Sequence, residues 1–166
     1  MAVEWTITIE GRNEFGDVCR KAVRIDKSRE RLFDGDLGLS IENGKTIMAA
    51  LRSTVVNHEA ETYSLFRRVC PDCHRFRSVK DYTTRRIRTV FDIVEVRNPR
   101  WMLFRDCYPG MVVAAFAPLR EICPDRATSE LMELTARLGS MMPYRQAARI
   151  CCNRLITSAV ARSLRS

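Results

Sequence analysis

The sequence predicts an α+β protein in three parts: a small N-terminal strand and helix unit (1–66), a basic, zinc-ribbon-like β-hairpin module (67–124), and a helical C-terminal segment (125–166). Three patterns carry this. Apolar and β-branched residues alternate with polar ones in two separate blocks, as in half-buried strands. Between the blocks, apolar residues recur at three- and four-residue spacing, as on one face of a helix. Cys-Pro-Asp-Cys at 70–73 joins that helix to the second block, and a C-x-x-C folds the backbone so that both thiolates face one ion.

Taken in order, VEWTITIE (3–10) and VCRKAVRI (18–25) read as paired strands around the turn residues GRNEFGD. KSRERLFDGDLGLSIENG is polar and irregular. Its Asp34 and Asp36 flank an ordinary turn at Gly35, because no glutamate follows where a calcium loop needs one. From about Gly44 a helix of roughly 20 residues is expected. Asn43 is its expected cap, and Ile47, Leu51, Val55, His58, Thr62 and Leu65 form its apolar stripe. Strand texture returns between Val79 and Asp106, carried by Ile87, Val90, Ile93 or Val94, Val96, Trp101 and Leu103. RNPR (97–100) is the expected turn, since Pro99 cannot donate to a ladder. YPGMVVAAFAPLREICPD then connects to two helices. Thr128 or Ser129 caps the first, which holds Leu131, Leu134 and Leu138. Gly139-Ser140 breaks it, and Pro143 opens the second. Helix, short turn, helix is the start of a helix-turn-helix.

Composition bounds the function. Apolar residues make up 46% of the 166, so a packed core is within reach. No apolar run approaches the roughly 18 residues of a membrane span. The N-terminus lacks the basic and apolar regions of a signal peptide, so the cytoplasm is the expected location. Seven unevenly spaced cysteines point to metal ligands or free thiols rather than a disulfide framework. The net charge of +8 is concentrated: −2 over 1–66, +7 over 67–105 and +3 over 106–166. A localised basic patch draws polyanions in a salt-dependent way. Arg75, Arg77, Lys80, Arg85, Arg86 and Arg88 are the candidate phosphate contacts, with Arg97 and Arg100 at the expected hairpin tip. No enzyme is expected. There is no Gly-rich phosphate loop and no H-E-x-x-H, and neither His58 nor His74 is placed to serve a Ser or Cys nucleophile.

A structural zinc takes four nitrogen or sulphur ligands. Cys70, Cys73 and Cys107 supply three. Phe104 stands where the fourth cysteine of a second C-x-x-C belongs, and a phenyl ring cannot ligate; Cys123 is a remote substitute. Two readings stay open: one structural zinc with a recruited fourth donor, or three neighbouring thiols without metal.

The stretches VCPDCHRFRSVKDYTTRRIRTVFDIVEVRNPRW, RDCYPG and ATSELMELTARLGSMMPYRQAARI together resemble the N-terminal region of the ISKra-type family of insertion-sequence transposases, over residues from about 1 to 149. The resemblance implies a DNA-binding end, made of a zinc ribbon and helix-turn-helix elements that recognise terminal inverted repeats. It also implies that the RNase H-like catalytic core lies outside these residues. The chain departs from the family pattern at Phe104 and in its ending, ICCNRLITSAVARSLRS, which lacks a recognition helix. The expectation is therefore a truncated transposase fragment that binds DNA weakly and largely nonspecifically and does not transpose DNA alone. The alternatives are a module that self-associates or docks on full-length transposase, through the 44–66 stripe and Met141-Met142, and a remnant without function.

Overall fold

β1 (Val3–Arg12) and β2 (Val18–Lys27) pair in antiparallel register, with Trp5 opposite Ile25 and Ile7 opposite Val23. Alternation puts these residues on one face, and β2 buries Val23, Ile25 and Lys27 there. The Asn13 side-chain carbonyl closes the turn by accepting from the Phe15 and Asp17 amides at 3.0 and 2.8 Å, and Gly16 takes a φ of 84°. These elements come from a computed structural model, which describes residues 3–110 and 115–149. The chain divides into two compact units, one ending at Thr62 and the other beginning at Tyr63.

In the first unit the hairpin is followed by α1 (Arg29–Phe33) and α2 (Ile41–Phe66). Lys27 is buried because its ammonium donates to the Asp36 carbonyl at 2.7 Å and lies 3.6 Å from the Asp36 carboxylate. α2 begins three residues before Gly44. Ser40, not Asn43, is its cap, with its hydroxyl accepting from the Asn43 amide at 3.1 Å. The expected stripe is only partly covered. Leu51, Val55 and Leu65 are exposed, while Ile47, Ala50, Thr54 and His58 are half-buried and Ala60 is buried. Small side chains allow close approach. A Cβ added at Gly11 would sit 2.9 Å from Cys19 Sγ and 3.3 Å from His58 Cδ2, so the helix and the hairpin meet where β1 has no side chain.

The second unit is a three-stranded antiparallel sheet in the order β3-β4-β5, from β3 (Val79–Arg88), β4 (Ile93–Met102) and β5 (Ala115–Phe116), with α3 (Leu119–Ile122) and α4 (Ser129–Met141). The hairpin turns at 89–92, not at RNPR. Thr89 Oγ1 accepts from the Phe91 and Asp92 amides at 3.2 and 3.1 Å, and the Thr89 amide donates to the Asp92 carbonyl at 2.8 Å. Pro99 lies inside β4, opposite Tyr82. β5 pairs only with Trp101 and Met102, so β4 has a partner on one side alone at Pro99, where strands tolerate proline. Ile87, Val94, Val96, Trp101, Leu119, Ala127, Leu131 and Ala147 form the core. The buried Trp101 indole donates to the Ser64 carbonyl at 3.0 Å, which fixes the last turn of α2 to the sheet.

Backbone hydrogen bonds link the segments on either side of the expected boundary at 124/125. Arg88 donates to the Arg126 carbonyl at 2.8 Å and accepts from the Thr128 amide at 2.9 Å, extending the sheet edge into the segment before α4. Thr128 caps α4 by accepting from the Leu131 amide. α4 continues through Gly139-Ser140 to Met141, and Pro143 precedes a new helical stretch over 144–149. The tail and the site of a recognition helix lie outside the described residues. Among the described residues no helix is long and apolar enough to cross a membrane.

Two outcomes test this packing. Trp101→Ala removes a buried indole and should cost about 3–5 kcal/mol in urea unfolding. At the junction of α2 and α3, Arg67 binds the Glu121 carboxylate through two nitrogens at 2.8 Å, and the Tyr63 hydroxyl donates to it at 2.9 Å. The Arg67 hydrogen bonds hold the folded-state carboxyl below its ordinary 4.5. Its contribution is therefore complete above that pH and is lost as pH falls through the depressed folded value. Stability should decline as pH falls below 4.5 toward that depressed value, and Glu121→Gln should flatten the decline.

Candidate metal centre

Cys70 opens a tight knuckle. Its carbonyl accepts from the His74 amide at 2.9 Å, its amide donates to the Arg75 carbonyl at 3.0 Å, and Val69 bridges Phe76. His74 adopts a φ of 56° to close this turn. The turn after β4 has a related form, with the Phe104 carbonyl accepting from Cys107 and Tyr108 at 3.2 and 3.1 Å. Phe104 thus occupies in the second turn the place that Cys70 occupies in the first. β3 and β4 bring the two turns together, and the Met102 amide donates to the Ser78 carbonyl at 2.9 Å just beside them.

The sulphurs of Cys70, Cys73 and Cys107 lie within 4.8 Å of one another. A tetrahedral zinc with Zn–S bonds of about 2.3 Å needs sulphurs about 3.8 Å apart, so the three thiols are close enough to share one ion. Cys70 is fully buried and the other two half-buried. Cys123 does not join the group; it sits beside Arg85, and burial pushes its thiol up.

Arg75 flanks the cluster. Its Nε donates to Cys73 Sγ at 3.4 Å, its guanidinium lies 4.4 Å from the centre of the Phe104 ring, and Asp106 holds it at 3.5 Å. That hydrogen bond is the main reason the Cys73 thiol falls to about 6. Cys107 hydrogen-bonds to Cys73 and is pushed up to about 11. Asp72 Oδ2 is 3.8 Å from Cys70 Sγ.

The eight basic candidates separate into groups. Arg77 is buried, donating to the Arg67 carbonyl at 3.2 Å and the Tyr108 hydroxyl at 2.9 Å, and stacking on Phe116 at 4.6 Å. Arg85 is also buried and donates to the carbonyls of Cys123 and Pro124. Both guanidinium groups belong to the interior, which removes them from the phosphate contacts expected of them. Arg100 is paired through two nitrogens with Asp81, and Arg75 is taken up at the sulphur cluster. Arg86, Arg88 and Arg97 remain on the exposed face of the hairpin, with Lys80 exposed at the β3 bulge. Arg97 lies 3.6 Å over the Tyr82 ring, Arg86 is 3.4 Å from Glu95, and Arg88 reaches the Asp125 carbonyl at 3.2 Å. Sequence reasoning missed two exposed rings of the hairpin, Tyr82 on this face and Phe91 at the tip. Strand parity was the signal for Tyr82, which shares the phase of Arg86 and Arg88, opposite to Ile87; Phe91 lies in the turn, outside the strands.

With metal removed by chelation, iodoacetamide should label Cys73 before Cys107, because the thiolate is the nucleophile. Peptide mapping should place the Cys73 midpoint near pH 6, and Arg75→Ala should move it upward. No family model, curated protein or solved structure matches this chain.

Proposed function

We propose that the β3-β4 hairpin is a nucleic-acid docking module, with DNA as the partner that the transposase resemblance implies. The observation that carries this is the convergence of Arg86, Arg88 and Arg97 on one exposed face, within a segment of net charge +7. Residues two apart on a strand are about 7 Å apart and neighbouring strands about 5 Å, so the three guanidinium groups span one compact area. Stacking on Tyr82 limits the freedom of Arg97 and lowers the entropy lost when it meets a phosphate. Contacts of this kind position a protein without reading sequence. Glu95 offsets part of the charge of Arg86, which keeps the affinity low. The reading is of a binding module with no strand-cleaving step.

The three cysteines support the docking face from below. A metal ion shared by them joins the knuckle before β3 to the turn after β4, closing the base of the hairpin. Zinc is the ion the resemblance implies. Cys70, Cys73 and Cys107 would hold it and Phe104 would leave its fourth position without a protein sulphur. The ion's part is structural, fixing the path of the chain on either side of the basic face.

Binding to a short duplex should fall steeply with salt. Arg97→Ala and Arg88→Ala should each weaken it and lower the log–log salt slope by about 0.9. Arg77→Met should leave that slope unchanged while lowering the unfolding midpoint. An affinity indifferent to salt would exclude the reading.

A second reading has its own observation. In the first unit Trp5, Leu37 and Leu39 are exposed around an apolar cavity of about 460 Å³, whose floor is Ile7 and Ile25. Small units with little core are commonly completed by a second copy. If this chain self-associates through that face, Trp5→Ser should shift the mass seen by light scattering from dimer to monomer; an unchanged mass would exclude it.

A further inference from the structure

We infer that the Cys70, Cys73 and Cys107 site selects a thiophilic ion satisfied by three sulphur ligands, as lead(II) and arsenic(III) are, over an ion that needs four. This rests on the reading that the cluster holds a metal at all.

The argument lies in what surrounds the sulphurs. Soft thiolates select soft ions, and geometry decides among them. Three sulphurs lie within 4.8 Å of one another, and no further Cys, His or carboxylate joins the group among the described residues. The position a fourth cysteine would take is filled by Phe104, whose ring packs against the Arg75 guanidinium at 4.4 Å. Neither group has a lone pair to give a metal. An ion with its own non-bonding pair can turn that pair toward this cap and bond the three thiolates below it. Tetrahedral zinc must instead recruit water or move Asp72. The Asp72 carboxylate is the closest alternative donor, 3.8 Å from Cys70 Sγ, but it also partners the Tyr108 hydroxyl. The charge is consistent with this choice. Three thiolates and lead(II) leave one negative charge, and Arg75 stands beside Cys73 to balance it. Arsenic(III) bonds the site by exchanging three hydroxides for three thiolates, and the three thiol protons leave as water.

The test is titration of the reduced, chelator-treated full chain with lead(II) and zinc in competition. The charge-transfer absorbance of lead–thiolate bonds reports occupancy, and X-ray absorption counts the sulphurs. One lead per chain on three sulphurs is expected. Cys107→Ser should abolish it, which assigns the signal to this cluster rather than to Cys19, Cys123, Cys151 or Cys152. Phe104→Cys should shift the preference toward zinc by about tenfold or more. The inference is overturned if zinc competes equally well in the wild type and Phe104→Cys, or if Asp72→Asn removes a fourth protein ligand from the bound ion. If neither ion binds stoichiometrically, the metal reading falls with it.

Discussion

The second unit is organised around one buried charge. Arg77 leaves the knuckle and points inward, where it meets the Arg67 carbonyl just after α2, the turn after β4 and the short strand β5. It donates to the Arg67 carbonyl and the Tyr108 hydroxyl, and its plane rests on Phe116. A buried guanidinium is tolerated only when its donors are satisfied, and its planar fork satisfies several at once. Arg77 therefore draws together segments that the sheet ladder does not connect. Its Nε finds no partner, so even this arrangement carries a residual desolvation cost. Truncation would leave the Tyr108 hydroxyl and the Arg67 carbonyl without it, loosening the turn that holds Cys107.

That constraint explains why the cysteines converge across 33 intervening residues. The hairpin delivers the two turns to the same end by strand pairing. Trp101 then anchors β4 to α2 through the Ser64 carbonyl, and Arg67 anchors α2 to α3 through Glu121. The sulphurs sit where these ties end. The sulphur cluster is thus positioned by side chains outside it, which is why Phe104 can hold the place of a cysteine without disturbing the turn. The turn is made by the Phe104 backbone carbonyl, and a carbonyl is indifferent to its side chain.

The α+β class, the first hairpin, the existence of α2, and the Cys70, Cys73 and Cys107 group were legible in the sequence, because each depends on local spacing. What was not legible depends on tertiary context. Pro99 reads as a turn, yet the turn went to Thr89–Asp92, where a threonine hydroxyl and an aspartate capture the backbone amides. Of the expected α2 stripe, Ile47, His58 and Thr62 are half-buried, whereas Leu51, Val55 and Leu65 are exposed and the smaller Ala50 and Thr54 are half-buried instead. The arginine cluster reads as one patch. Parity alone divided it: Arg85 shares the phase of Ile87 and goes inward, while Arg86 and Arg88 go outward. Arg77 and Arg100 follow no such rule. Their partners Tyr108 and Asp81 are set by the register and by the return of the chain after β4.

The division of the arginines carries the functional argument further than their number does. A basic segment of this density could be a solvated surface with no task. Here Arg77 and Arg85 are used to build the unit, Arg75 guards the sulphurs, and Arg100 is neutralised by Asp81. These four account for much of the sequence charge without offering it to a partner. The remainder is smaller but spatially ordered: Arg86, Arg88 and Arg97 share one face, with Tyr82 beneath one of them and Phe91 exposed at the tip. On the proposed reading, this ordered remainder is what a polyanion would meet. The same hairpin orders both that face and the sulphur cluster below it, so an ion at the base would stiffen the strands on which the arginines stand. On the proposed reading, metal occupancy and docking would act through one element, and any coupling between them would run along β3 and β4.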